Sequence, residues 1–182
     1  AEAYPDLEPR FVEEQTQHLI TRLRNGNLDL AIMALPSEAT GMVDSPLYTE
    51  KFSIVCPPDH PIAGREDVEL AELKDLDLLL LDDGHCLRDQ VVDLCRHADI
   101  NPAEATNSVT RASSLTTIMQ LVMGGLGCTL VPESALATEC HGKDVAIAHF
   151  ASDVTAEREV GLVFRSSACL LYTSPSPRDQ RG

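Results

Sequence analysis

No apolar run in this sequence of 182 residues approaches the ~20 needed to cross a bilayer. The first residues, Ala1-Glu2-Ala3-Tyr4-Pro5-Asp6, lack the charged-then-apolar layout of a secretory leader. The expected setting is therefore the cytoplasm, away from membranes. Positive charge is scarce as well, with 14 Lys and Arg against 29 Asp and Glu and a formal charge of -15. So acidic a surface repels phosphate backbones, which makes direct binding of nucleic acid by this stretch an unexpected activity. Cys-x2-Cys spacing is missing too, and Cys140-His141 alone cannot build a zinc site, so neither a metal nor a cofactor is expected. No internal repeat stands out.

What is present is an alternation of strand and helix signals, the pattern of an α/β protein with mostly parallel sheets. Leu7 to Val12 reads as an edge strand, confined there by Pro9. Thr16 is placed to cap a helix with Leu19, Ile20 and Leu23 turned inward, stopped by Asn25-Gly26. Leu28 to Leu35 is a nearly continuous apolar run, expected as a strand buried on both faces and completing one βαβ unit. After a loop at 36–46, strands are expected at Leu47–Cys56 and Leu76–Leu81, with a short helix at Glu69–Lys74 between them. Thr106–Thr110 reads as a strand and Ser113 as a cap. The helix that follows has Leu115, Ile118, Met119 and Val122 as its buried stripe, and Gly124-Gly125 as its end. Strands at Cys128–Val131, Val145–Phe150 and Val160–Arg165 complete the order. The Ser- and Pro-rich residues 167–182 have no periodicity and look like a non-native tail.

Chemistry concentrates in the helix expected after Gly84-His85. Leu87, Val91, Leu94 and Ala98 fall on one apolar stripe, so the segment should pack on a core and begin at or near Cys86. Unpaired N–H groups and the positive end of the helix dipole favour an anion at that first turn, and His85 and Arg88 can add to the effect. Each favours the nucleophilic thiolate, which marks Cys86 as a candidate attacking thiol. Cys95 lies nine residues on, on the opposite side of the helix, with a Cα separation of about 13–14 Å. A disulfide needs roughly 4.4–6.8 Å between Cα atoms, so the two thiols can join only if the helix unwinds. From spacing alone, two inert buried cysteines remain the commoner case.

The run Gly84-His85-Cys86-Leu87-Arg88-Asp89-Gln90 with the following Cys95 resembles the redox-active segment of the peroxide-sensing branch of the LysR-type transcriptional regulators. Tyr4-Pro5, the LDLAIMAL run, Asp59-His60-Pro61, Ala112-Ser113-Ser114-Leu115 and the GCTLVP run from Gly127 to Pro132 carry the same resemblance, which spans roughly residues 4–166. It implies a two-lobed, periplasmic-binding-protein-like regulatory domain, with residues 1–50 and 153–166 in an incomplete first lobe and residues 51–152 in the second. It also implies Cys86 as the peroxidatic thiol and Cys95 as the resolving one, linked through a sulfenic acid on Cys86. Thr16 and His85 would orient hydrogen peroxide, with Arg88, Asp89 and Gln90 in the same pocket. Such regulators bind DNA through an N-terminal domain that precedes Ala1. They form dimers or tetramers at full length and are reset by thioredoxin- or glutaredoxin-type reductants. They are not enzymes. The competing readings are a LysR-type domain that binds a small metabolite, a thiol peroxidase and a periplasmic solute-binding protein.

Overall fold

A computed structural model describes residues 8–100 and 111–167. Its organising element is β2 (Met42–Cys56), a strand of 15 residues that belongs to two sheets in turn. The first half of β2 pairs with β7 (Glu157–Arg165), which also pairs with β1 (Leu30–Leu35). Its second half lies between β5 (Thr129–Pro132) and β6 (Ala146–His149). The register shifts between Pro46 and Tyr48, and a bulge is where a strand tolerates proline, which has no N–H for the ladder.

All of these pairings are antiparallel, contrary to the parallel sheets expected. Among the described residues, parallel contacts are confined to β3 (Leu80–Leu81) with β4 (Arg111–Ala112) and two isolated bridges, Val68 with Phe150 and Leu78 with Cys128. The LDLAIMAL run does not complete a βαβ unit. Among the described residues β1 pairs with β7 alone; Ala31 and Met33 are buried and Ile32 is 61% exposed. A run apolar on both faces is legible as a strand, but its hydrophobicity does not fix the direction of its partner.

The remaining expectations shift mostly at boundaries. Residues 8–15 form no strand, and Leu7 lies outside the described residues. Helix α1 (Thr16–Arg24) has Gln15 as its N-cap, so Thr16 opens the helix and does not cap it. β2 already starts inside the expected loop at 36–46. A 3-10 helix at Leu70–Asp75 stands where the short helix was read, with a capping box between Glu69 and Glu72. Leu76, Leu78, Leu79, Leu80 and Leu81 are all buried, though only the last two form a regular strand. Helix α2 (Cys86–His97) follows. Ser114, not Ser113, caps helix α3 (Leu115–Met123) by accepting from the Thr117 N–H. Helix α4 (Glu133–Glu139) was not expected, although the good helix formers after Pro132 signal it. The strand read at Thr106–Thr110 and residues 168–182 of the tail lie outside the described residues.

Three cores result. Leu23, Ala31, Met33 and Val163 join α1 to β1 and β7. Val55, Leu79, Ile118, Met119, Val122 and Val131 pack under α3. The third and most extensive seats α2 through Val91, Leu94 and Cys95 against Phe52, Ile54, Leu78 and Leu130. Gly127 lets the backbone just before β5 pass close to residues 77–79. A Cβ added there would sit 2.3 Å from the Asp77 carbonyl oxygen and 3.2 Å from Leu79 Cγ, at a φ of +150°. Gly127→Ala should therefore cost about 1–3 kcal/mol through strain and displaced backbone, read as a lower urea midpoint with an unchanged m-value. An unaltered midpoint would show that the β5 approach is not tight.

Candidate functional site

Helix α2 starts where the sequence places it. Gly84 takes a φ of +93°, His85 is the N-cap in extended conformation, and the His85 carbonyl accepts from the Arg88 N–H at 3.0 Å. Cys86 is thus the first helical residue, half-buried, with a free thiol and with first-turn N–H groups beside it. His85 is half-buried next to it. Arg88 reaches backward. Its Nε pairs with Asp83 Oδ1 at 2.8 Å and an Nη donates to the Leu81 carbonyl at 3.3 Å, which ties the first turn of α2 to the end of β3. Asp89 is exposed.

A second helix start comes up to this one. A Cβ on Gly84 would lie 3.2 Å from Gln15 Oε1, so the residue that caps α1 touches the loop that leads into α2. Glycine here allows both the positive φ and the close approach. Thr16, half-buried, follows Gln15 as the first residue of α1. Two stretches about 70 residues apart in sequence therefore meet where Gln15 touches Gly84.

Gln90 leads to a residue not singled out from the sequence. Arg158, on β7, donates to Gln90 Oε1 at 3.4 Å and pairs with Glu50 of β2 at 2.6 Å. Glu50 is only 8% exposed and also accepts the Ser134 N–H at 3.1 Å, at the start of α4. Burial pushes the Glu50 carboxyl up, but the bonds from Ser134 and Arg158 outweigh it and hold it below its ordinary value. Glu50 and Lys51 are adjacent charges in one strand, so the sequence does not single out Glu50, and its partner lies 108 positions away where local pattern does not reveal it.

Cys95 is of another kind. It is 2% exposed on the core side of α2, and burial raises its thiol pKa. Cys86 and Cys95 are both free, at opposite ends of an intact helix. No group of three or more metal-ligating side chains occurs among the described residues.

An α/β domain built on a shared antiparallel strand, with a free cysteine at the first residue of a core-packed helix, matches a known class. The LysR substrate binding domain family matches residues 1–170, and the chain belongs to that family. Among curated relatives, the probable hydrogen peroxide-inducible genes activator of Mycobacterium avium is 48% identical over 168 residues, covering 92% of this chain and 53% of the relative. The OxyR dual regulator of Escherichia coli strain K12 is 37% identical over 169 residues, covering 93% and 54%. Among solved structures, a cysteine-to-serine mutant of Corynebacterium glutamicum OxyR with hydrogen peroxide bound is 63% identical with a TM-score of 0.89, covering 92% of this chain and 52% of that one. The oxidised form of the same OxyR is 62% identical with a TM-score of 0.80, covering 93% and 52%. The chain spans about half the length of the relatives it matches.

Proposed function

We propose that this chain is the peroxide-sensing regulatory domain of an OxyR-type transcription regulator, switched by a disulfide between Cys86 and Cys95. The observation that carries the reading is the contrast between the two thiols on one helix. Cys86 opens α2 at a notch where α1 also begins, and Cys95 is sealed in the core at the far end. Hydrogen peroxide accepts the Cys86 thiolate at one oxygen, the O–O bond breaks, and water leaves with a proton from the notch. Cys86 becomes a sulfenic acid. Cys95 then displaces the hydroxyl as a second water and forms the S–S bond. At ~1.5 Å rise per residue the sulfurs cannot meet across an intact α2, so the second step dismantles the helix. Thr16, His85 and Gln90 orient peroxide, Arg88 holds the first turn in place, and Arg158 extends the polar lining through Gln90. DNA binding, oligomer formation and reduction by thioredoxin- or glutaredoxin-type proteins belong to the longer regulator. Such a domain reacts once and waits for a reductant, unlike a peroxidase.

Peptide mass spectrometry after one equivalent of hydrogen peroxide tests this directly. The expected product joins the Cys86 and Cys95 peptides, with a concurrent rise in amide exchange across 86–97. A bond formed without loss of helix protection, or no bond at all, would overturn the switch.

A further inference from the structure

Two cysteines outside helix α2 face each other within the second sheet. β2 and β5 pair antiparallel with Val55 opposite Thr129, and that register carried one residue further sets Cys56 opposite Cys128. The backbone defines the kind of position. Cys128 donates its N–H to the Asp77 carbonyl at 2.9 Å, and its carbonyl accepts from the Leu79 N–H at 2.8 Å. Both main-chain groups of Cys128 therefore turn away from β2. In an antiparallel ladder this makes Cys56 and Cys128 a non-hydrogen-bonded pair, with Cα atoms about 4.5 Å apart and side chains on one face. Both side chains lie in the core that seats α2, both are fully buried, and both thiols are free. Cys56 Sγ meets the Ala146 carbonyl at 3.7 Å. Burial, with the neighbouring Cys56 and Asp77 adding to it, pushes the Cys128 thiol up to about 12. Burial also raises Cys56.

The spacing falls at the short end of the roughly 4.4–6.8 Å that a disulfide spans. Here, unlike Cys86 and Cys95, the sulfurs already stand on adjacent strands, and no helix has to open. We propose that Cys56 and Cys128 are a second disulfide site, a reversible staple between β2 and β5 closed by two-electron thiol oxidants of the azodicarboxamide class. Two S–H bonds break and one S–S bond forms. Two electrons and two protons pass to the N=N bond of the oxidant, which leaves as a hydrazine. Neutral buried thiols react slowly, so closure proceeds through brief openings of the core and follows the reaction of exposed thiols. An excess of a dithiol reductant reverses the bond by thiol–disulfide exchange through a mixed disulfide.

Diamide treatment of the Cys86→Ser protein isolates this site from the α2 pair, so its outcome does not depend on the peroxide reading. Non-reducing peptide mapping should find Cys56 joined to Cys128. The urea midpoint should rise, because the bond closes a long loop, and dithiothreitol should reverse both changes. With Cys128→Val added, the link and the rise should vanish and Cys56 should remain free. A parallel arm in urea below the unfolding transition admits the oxidant to the core. Failure to find the link in either arm, or Cys56 joined as often to Cys95 or Cys140, overturns the proposal.

Discussion

Cys95→Ser treated with one equivalent of hydrogen peroxide should stop at a sulfenic acid on Cys86, captured in full by dimedone, with α2 still protected from exchange. Cys86→Ser should take up no dimedone at residues 86–97 and form no bond there. Both losses are complete because each thiol has a separate task. Cys86 is half-buried at a helix start, the thiol that meets peroxide in the proposed switch, whereas Cys95 is 2% exposed and in that proposal acts only after the helix opens. The paired measurement discriminates between classes of protein. A metabolite-binding relative would keep its ligand response in both variants, and a thiol peroxidase would go on consuming peroxide with a reducing system. Dimedone capture on Cys95 in the Cys86→Ser protein would reverse the assignment of roles.

Energetics explain why such a switch can also reset. Drawing Cys95 out of the core uncovers part of the surface that Val91 and Leu94 bury, and burial of such a side chain contributes about 1.5–3 kcal/mol. A disulfide closing so short a loop stabilises the remodelled state by only about 2–4 kcal/mol. Neither side dominates by itself. The reduction of peroxide supplies the drive in one direction, and a dithiol reductant lets α2 re-form on its intact stripe in the other. Arg88 ties the first turn of the folded helix to the end of β3 through its bonds to Asp83 and the Leu81 carbonyl, contacts that favour its re-formation.

Helix α2 was legible down to its first residue because three signals agree there: a glycine turn, a polar N-terminus and an apolar stripe at helical spacing. Strand direction was not. Leu28–Leu35 has the composition of a buried parallel strand, yet it pairs antiparallel with β7, whose residues lie more than a hundred positions away. Nothing local encodes that choice. The same limit hid Arg158. Its role depends on Glu50 and Gln90, and these meet only because β2 passes through both sheets. Thr16, read as the cap of α1, is instead its first helical residue, because Gln15 takes the cap position.

The Glu50–Arg158 pair should show the largest effect on stability of any substitution outside the cores. Arg158→Met keeps much of the side-chain volume but leaves a carboxylate that is 8% exposed with no cation beside it and the bonds from Ser134 as its remaining support. Breaking a buried pair from one side costs about 3–5 kcal/mol, since the remaining charge is desolvated and uncompensated. The urea midpoint at neutral pH should fall accordingly. Acid reveals the cause. In the native protein the Glu50 carboxyl is held below its ordinary value of 4.5, so its stabilisation is present above that pH and is lost as pH falls through the lowered value. In the variant the same carboxyl has lost the cation that countered burial, and protonation relieves it. The gap between the two proteins should therefore be widest near pH 7 and narrow steadily toward about pH 4. Arg158→Lys should recover only part of the loss, because an ammonium can bond Glu50 but not hold both it and Gln90 in one plane. A gap that stays constant with pH would mean that Arg158 contributes through packing alone, and Glu50 would then need another source for its lowered value.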